Sequence, residues 1–254
     1  MAKNKIGLKI VNLVFLLLTI FVNFLANYLP INGVTSGEVS ALYQNPFTPA
    51  GFTFSIWGVI YTLLIIFIIY QFLGQSEINK NFSTGPYFII ASLANMSWLY
   101  LWHHKQIPLS MIIILLLPFS LFKIFKRLHQ HQQYQRAEYL GLKLPFSIYT
   151  AWVTIASIAN FMALLVYFND NWPANFLSIA AIIGILIGLF IAVKILDKYK
   201  NIPFALVFIW ALTGIIGAQL GYENSNMAVV ITAGVSIIII LFKMINAFGT
   251  KTES

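Results

Sequence analysis

Apolar residues in this chain come in long runs separated by short polar segments. A helix needs about 20 apolar residues to cross the hydrocarbon core of a bilayer. Eight runs approach that length: about residues 11–28, 51–72, 87–102, 108–122, 144–168, 176–193, 203–220 and 227–242. The third and fourth are short, with about five residues between them. None of the seven acidic residues lies within a run, and basic residues appear only at run edges. Buried charge is expensive in lipid, so this partition supports the spans. The pattern predicts an all-α protein, a polytopic integral membrane helix bundle of about eight transmembrane helices.

Composition agrees. Of 254 residues, 59% are apolar and only 9% charged, against about a quarter charged in a soluble domain. Mean hydropathy is +0.83. A water-soluble globule, a disordered chain and a coiled coil are all excluded. The chain has no cysteine, which removes disulfides, thiolate metal sites and cysteine nucleophiles.

The net charge of +8 reads as an orientation signal, not as a nucleic-acid footprint, because no basic and aromatic surface domain exists to serve nucleic acid. With the N-terminus in the cytoplasm, fourteen of the fifteen lysines and arginines fall in inner segments, and Lys105 alone faces out. Lysine and arginine mark cytoplasmic loops. Both termini are therefore expected to be cytoplasmic, in a multi-pass protein of the plasma membrane. The first run has a basic start, but it is longer than a signal h-region and no clear small-x-small cleavage site follows. It reads as a retained span.

The first outer loop, 29–50, is polar and ends in Asn45-Pro46-Phe47-Thr48-Pro49-Ala50-Gly51. Its two prolines bar a regular helix and favour an extended approach to the second span. The inner loop 123–143 is expected to continue as an interfacial helix with its apolar residues toward lipid. No internal repeat of the kind that marks inverted-repeat transporters is visible. Ala180, Gly184, Gly188 and Ala192 form a small-residue stripe at steps of four, suited to close helix packing within the chain or between copies in a homodimer.

Three spans carry aromatic and polar residues on one side at helical spacing. Phe54, Trp57, Gly58 and Tyr61 share a face of the second. Ser92, Asn95, Trp98 and Trp102 share one in the third, and Tyr149, Trp152, Val153, Ala156 and Asn160 one in the fifth. Amides in hydrocarbon need partners, so Asn95 and Asn160 should face the bundle interior. Two readings stay open: plain helix packing with amides as glue, and a pocket for a flat, largely apolar ligand.

The spans hold no acid, histidine or cysteine, so the usual residues of a proton relay or metal site are missing from them. No glycine-rich phosphate loop follows a strand. His103-His104, at the outer end of the third span, reads as a solvated pair and not a chelate. Glu38, Asp170 and Glu223 lie on outer loops around a possible entrance. No catalytic residue, metal ligand or cofactor is assigned.

Three segments resemble one family. Phe47-Thr48-Pro49-Ala50-Gly51-Phe52-Thr53-Phe54-Ser55-Ile56-Trp57-Gly58-Val59-Ile60-Tyr61 looks like the proline-rich approach and Trp-x-x-x-Tyr helix of the tryptophan-rich sensory proteins, also called the translocator protein or peripheral benzodiazepine receptor family. Leu93-Ala94-Asn95-Met96-Ser97-Trp98 is similar to that family's third helix. Leu144-Pro145-Phe146-Ser147-Ile148-Tyr149-Thr150-Ala151-Trp152, with Ala156 and Asn160 following, is similar to its fifth. The resemblance covers about residues 10–170. It implies a five-helix bundle, often homodimeric, that binds porphyrins, sterols and synthetic aromatic ligands. By motif match, Trp57, Tyr61, Asn95, Trp98, Trp152 and Ala156 line that pocket, with Asn160 one turn further on. The chain departs from the family where its prolines are spread out as Pro46 and Pro49, and where Tyr167 is followed by Asn and Asp instead of a base.

The expected organisation is a five-helix bundle over 1–170 with three further transmembrane helices, 171–254, packed on it. The leading functional expectation is a membrane-embedded sensor or transporter of a flat hydrophobic molecule such as a tetrapyrrole. A second reading is a membrane subunit or scaffold of an export or immunity complex, docked through 123–143. A third is an enzyme that modifies a bound porphyrin, with tryptophans as redox groups.

Overall fold

The computed structural model describes residues 2–29, 31–131, 133–221 and 225–249. Among them helix is the only regular secondary structure. The order is α1 (Ala2–Tyr28), α2 (Ser36–Leu42), α3 (Ile56–Leu73), α4 (Glu77–Asn81), α5 (Tyr87–His103), α6 (Ile107–Ile114), α7 (Leu116–Leu128), α8 (Arg136–Glu138), α9 (Leu144–Phe168), α10 (Ala174–Tyr199), α11 (Ile202–Leu220) and α12 (Met227–Gly249). 3-10 turns at Ile31–Gly33 and Gly51–Ser55 and a π turn at Tyr139–Lys143 join them. Seven helical stretches among the described residues are long and apolar enough to cross a membrane. Helix α5 has 17 residues, about 25 Å of rise, short of a hydrocarbon core about 30 Å thick. With α5 counted, every predicted run is helical.

Prolines set two of the irregularities. The Pro118 ring opposes the carbonyl four residues back, on Ile114, which is where α6 ends. Pro145 opposes the Gly141 carbonyl in the same way. There the backbone widens into the π turn, and the Leu144 N–H reaches five residues back to Tyr139.

The outer loop is more regular than its composition suggests. Helix α2 is opened by a reciprocal capping box. Thr35 N–H donates to the Glu38 carboxylate at 2.7 Å, and Glu38 N–H donates to the Thr35 hydroxyl at 3.3 Å. The Thr35 backbone and hydroxyl bonds hold the Glu38 carboxyl below its usual range. The Thr-x-x-Glu spacing was readable in the sequence and marks this helix.

The inner loop corrects a second expectation. Helix α7 runs on to Leu128, and helix resumes at Arg136. Ile124, Phe125 and Leu128 are fully buried in protein, not turned to lipid. Just past α7, His129 stacks on Phe125 at 3.9 Å, and its Nδ1–H donates to the Phe125 carbonyl at 2.8 Å. Burial pushes its pKa down from 6.5 to about 4, against the pull of that bond and with help from Lys143. The fold thus favours the neutral ring. That contribution is complete above the ordinary pKa and is lost as pH falls from 6.5 toward 4. Thermal scans in detergent should show a midpoint falling over this window, with a shallower fall in His129→Gln. An unchanged slope in that variant would contradict the assignment.

The chain forms two compact units, Met1–Val39 with Ser55–Val153, and Ser40–Phe54 with Thr154–Ser254. These bounds differ from a division at residue 170: they cut within α9 and give the segment before α3 to the second unit. In the first unit Phe67, Phe88 and Phe146 meet at 4.9–6.1 Å with every ring buried. Beside the end of α3, Asn12 of α1 donates to the Gln71 side chain at 3.0 Å and to Thr84 at 3.1 Å. Asn79 covers the exposed carbonyls at the end of α3, donating to Gly74 at 2.7 Å and Tyr70 at 3.2 Å. Helix-end carbonyls otherwise left bare in an apolar setting are costly, and the Asn79 amide satisfies them.

In the second unit the small-residue stripe of α10 is a packing surface. A Cβ at Gly188 would lie 2.5 Å from the Phe208 ring of α11, and one at Gly184 would lie 3.3 Å from Phe47. A notch of about 10 Å³, room for about one water, remains between Phe47, Gly184, Gly188 and Phe208. On α12, Lys243 pairs with Asp197 of α10 at 3.2 Å.

Candidate functional site

The aromatic residues predicted from the three faces meet inside the first unit. Trp57 is the hub. Its ring stacks on Tyr61 at 5.6 Å and lies 6.3 Å from Trp98. Tyr149 and Trp152 approach it edge-on at 6.0 and 6.3 Å. Offset and edge-to-face pairs in this range are the favoured aromatic geometries. Trp98 continues the array by stacking on Trp102 at 5.9 Å. The Trp102 indole N–H in turn donates to the Ser36 carbonyl of α2 at 3.2 Å.

Helix periodicity explains the meeting on α5 and α9. Ser92, Asn95, Trp98 and Trp102 are all buried, and so are Tyr149, Trp152 and Val153. Helix α3 behaves differently. Its deepest residues are Ile60, Leu64 and Phe67, so Trp57 and Tyr61 sit on the flank of the buried face and are half-buried. Gly58 is exposed, and a Cβ there would meet nothing within 4 Å.

A polar point lies among these rings. Asn95 is fully buried and accepts a hydrogen bond from Asn23 of α1 at 2.8 Å. Asn23 also donates to the Thr19 carbonyl at 2.8 Å. The Asn95 Nδ2 group has no hydrogen-bond partner. The Tyr61 hydroxyl is within electrostatic reach of Asn95 and Asn23, but it closes no hydrogen bond of normal geometry. Tyr149 also lies beside Asn95. An unsatisfied buried donor costs about 1–3 kcal/mol, so Asn95 stores a demand that a hydrogen-bond acceptor would meet.

Five of the seven predicted site residues therefore belong to one cluster: Trp57, Tyr61, Asn95, Trp98 and Trp152. Ala156 and Asn160 continue α9 in the second unit, half-buried and buried respectively. Sequence reasoning missed Asn23 as a member. The signal was available, because Asn23 is an amide within the first apolar run, the same argument that singled out Asn95.

The loop residues need correction. His103 is fully buried at the end of α5, with Nδ1 bonded to the Leu99 carbonyl at 2.7 Å. Only half of the predicted solvated pair is open, since His104 is part-exposed and stacks on Tyr100 at 4.1 Å. The outer loop packs over α5 here, with Asn32 Nδ2 donating to the His103 carbonyl at 3.0 Å. Glu38 is committed to its capping box. Asp170 accepts from Asn171 at 2.7 Å. Glu223 lies outside the described residues.

No curated protein and no solved structure matches the chain. The family model of TSPO-like proteins matches residues 9–246. That match includes α10, α11 and nearly all of α12, so the last three spans belong to the family pattern and are not an addition outside it. An apolar multi-pass helical chain, matched over almost its whole length, is a membrane protein of the TSPO-like family.

Proposed function

We propose that the protein is a membrane-embedded sensor or transporter that binds a flat, hydrophobic small molecule, such as a tetrapyrrole, at the Trp57 cluster. The observation that carries this reading is the convergence of Tyr61, Trp98, Tyr149 and Trp152 on Trp57, beside an Asn95 side chain whose oxygen is held by Asn23 and whose Nδ2 has no hydrogen-bond partner. Aromatic walls supply stacking for a planar ring, and one buried donor fixes its orientation. The rings touch one another, so a ligand enters by exchanging ring–ring contacts, each worth about 0.5–1.5 kcal/mol, for its own. Trp57 and Tyr61 are the rings with surface open to it. Ala156 and Asn160 enter this reading from the sequence, through helical spacing from Trp152 and the family motif. The lysine and arginine distribution supports a plasma-membrane protein with both termini cytoplasmic.

Titration with protoporphyrin tests the reading. Tryptophan fluorescence should be quenched saturably, and Trp57→Ala and Trp152→Ala should each weaken binding by about 1–2 kcal/mol or more, roughly ten-fold or greater. Absence of saturable quenching in wild type, or binding in either variant as tight as in wild type, counts against it. Co-purification of an ATPase through residues 123–143 instead would favour the scaffold.

A further inference from the structure

Two helices of the first unit, α1 and α5, set which way the Asn95 amide faces. The bonds start on the backbone of α1. The Thr19 hydroxyl donates to the Phe15 carbonyl, and Asn23 Nδ2 donates to the Thr19 carbonyl, both at 2.8 Å. A backbone carbonyl in a helix only accepts and cannot turn, so it keeps the Asn23 nitrogen on its side. The other hydrogen of that nitrogen goes to Asn95 Oδ1 at 2.8 Å. Thr19, Asn23 and Asn95 are all buried, so neighbouring groups and not water decide the orientation. Turning Asn95 over would set N–H against N–H. Its Nδ2 therefore stays on the far side of the amide, with no hydrogen-bond partner. Tyr61 and Tyr149, both in ring contact with Trp57, lie within reach of Asn95.

We propose that Asn23 is a positioning residue that sets ligand specificity. It fixes the polarity of Asn95, so the cluster takes a flat ligand by a hydrogen-bond acceptor on its edge, such as a carbonyl oxygen. The same shape bearing an N–H at that edge is disfavoured. This inference rests on the Trp57 cluster being the binding site. An untethered asparagine offers either end of its amide after a half-turn about one bond, and discriminates little. Asn23 removes that freedom. Presenting Oδ1 to a ligand N–H would break the bond from Asn23 and leave two buried donors facing each other.

The test uses three tricyclic molecules of nearly one shape. Fluorenone carries a carbonyl acceptor on its edge, carbazole an N–H donor, and fluorene neither. Affinities for the full-length protein in detergent are measured by calorimetry. Each is divided by that for fluorene in the same variant, which cancels packing losses common to all three. Wild type should favour fluorenone over carbazole by about ten-fold. In Asn23→Asp the oxygen that replaces Nδ2 carries at most one hydrogen and cannot serve both acceptors. The Thr19 carbonyl is fixed by its helix, so Asn95 turns, and the preference should invert toward carbazole. A side chain that merely packs would move all three affinities together. Asn23→Leu keeps bulk without the tether and should bring the preference within about two-fold of even. It decides the matter if Asn23→Asp fails to fold. A ligand-free readout is the Asn95 side-chain NH2 resonance in protein labelled with nitrogen-15 asparagine, identified by its loss in Asn95→Asp. It should shift downfield in Asn23→Asp as the group enters a hydrogen bond. An unchanged preference in either Asn23 variant, or an unmoved resonance, overturns the proposal. Failure of wild type to bind any of the three overturns the Trp57 cluster as the binding site, while the resonance still decides whether Asn23 orients the amide.

Discussion

Truncating Trp57 to alanine should lower stability by about 3 kcal/mol, the low end of the range for large aromatic truncations because the ring is half-buried. Lipid tails are as apolar as the interior, so the loss comes from packing and not from burial against water. Trp57 is in ring contact with Tyr61, Trp98, Tyr149 and Trp152. Removing it leaves each of these without a neighbour on one side. Trp57→Phe keeps a smaller ring and should recover about half the loss. Unfolding of purified protein in mixed micelles measures both. A loss below about 1 kcal/mol in Trp57→Ala would mean that the rings touch without depending on one another.

Gly141→Ala should be comparably severe, and Gly58→Ala should not. A Cβ at Gly141 would lie 2.3 Å from Tyr70 Cγ and 2.6 Å from its Cβ. Those atoms are next to the Tyr70 backbone and have little freedom to move aside, so helix displacement is required, at about 1–3 kcal/mol. At Gly58 a Cβ meets nothing within 4 Å. Alanine there removes the helix penalty of glycine and should stabilise by up to about 1 kcal/mol. Thermal midpoints of the two variants, measured side by side, should move in opposite directions. A neutral Gly141→Ala would contradict the contact with Tyr70.

Much of the site was legible because helix periodicity is a property of local sequence. Spacing put Asn95 and Trp98 on one face and Tyr149 and Trp152 on another, the amide's need of a partner turned the Asn95 face inward, and all four are buried. Residues whose role depends on a distant partner were not legible. Asn23 matters because Asn95 lies opposite it, 72 positions along the chain. His103 is buried because the outer loop folds onto α5, which no local pattern encodes. Ile124, Phe125 and Leu128 were rightly read as an apolar helix face, but whether such a face meets lipid or protein depends on what packs there.

The sequence by itself determined the class: apolar runs too long for a soluble fold, charges confined to their edges, and the family motifs. The cause is that a backbone in hydrocarbon must bond within its own segment, so span and composition specify helix directly. Only the tertiary structure decided which faces meet, that Trp57 is the hub of the rings, and that the segment from Pro46 to Thr53 lies along α11. Those outcomes turn on distances between segments remote in sequence, such as Trp210 and Thr53, 157 positions apart. They also turn on whether a side chain as small as that of Gly214 leaves room for the approach.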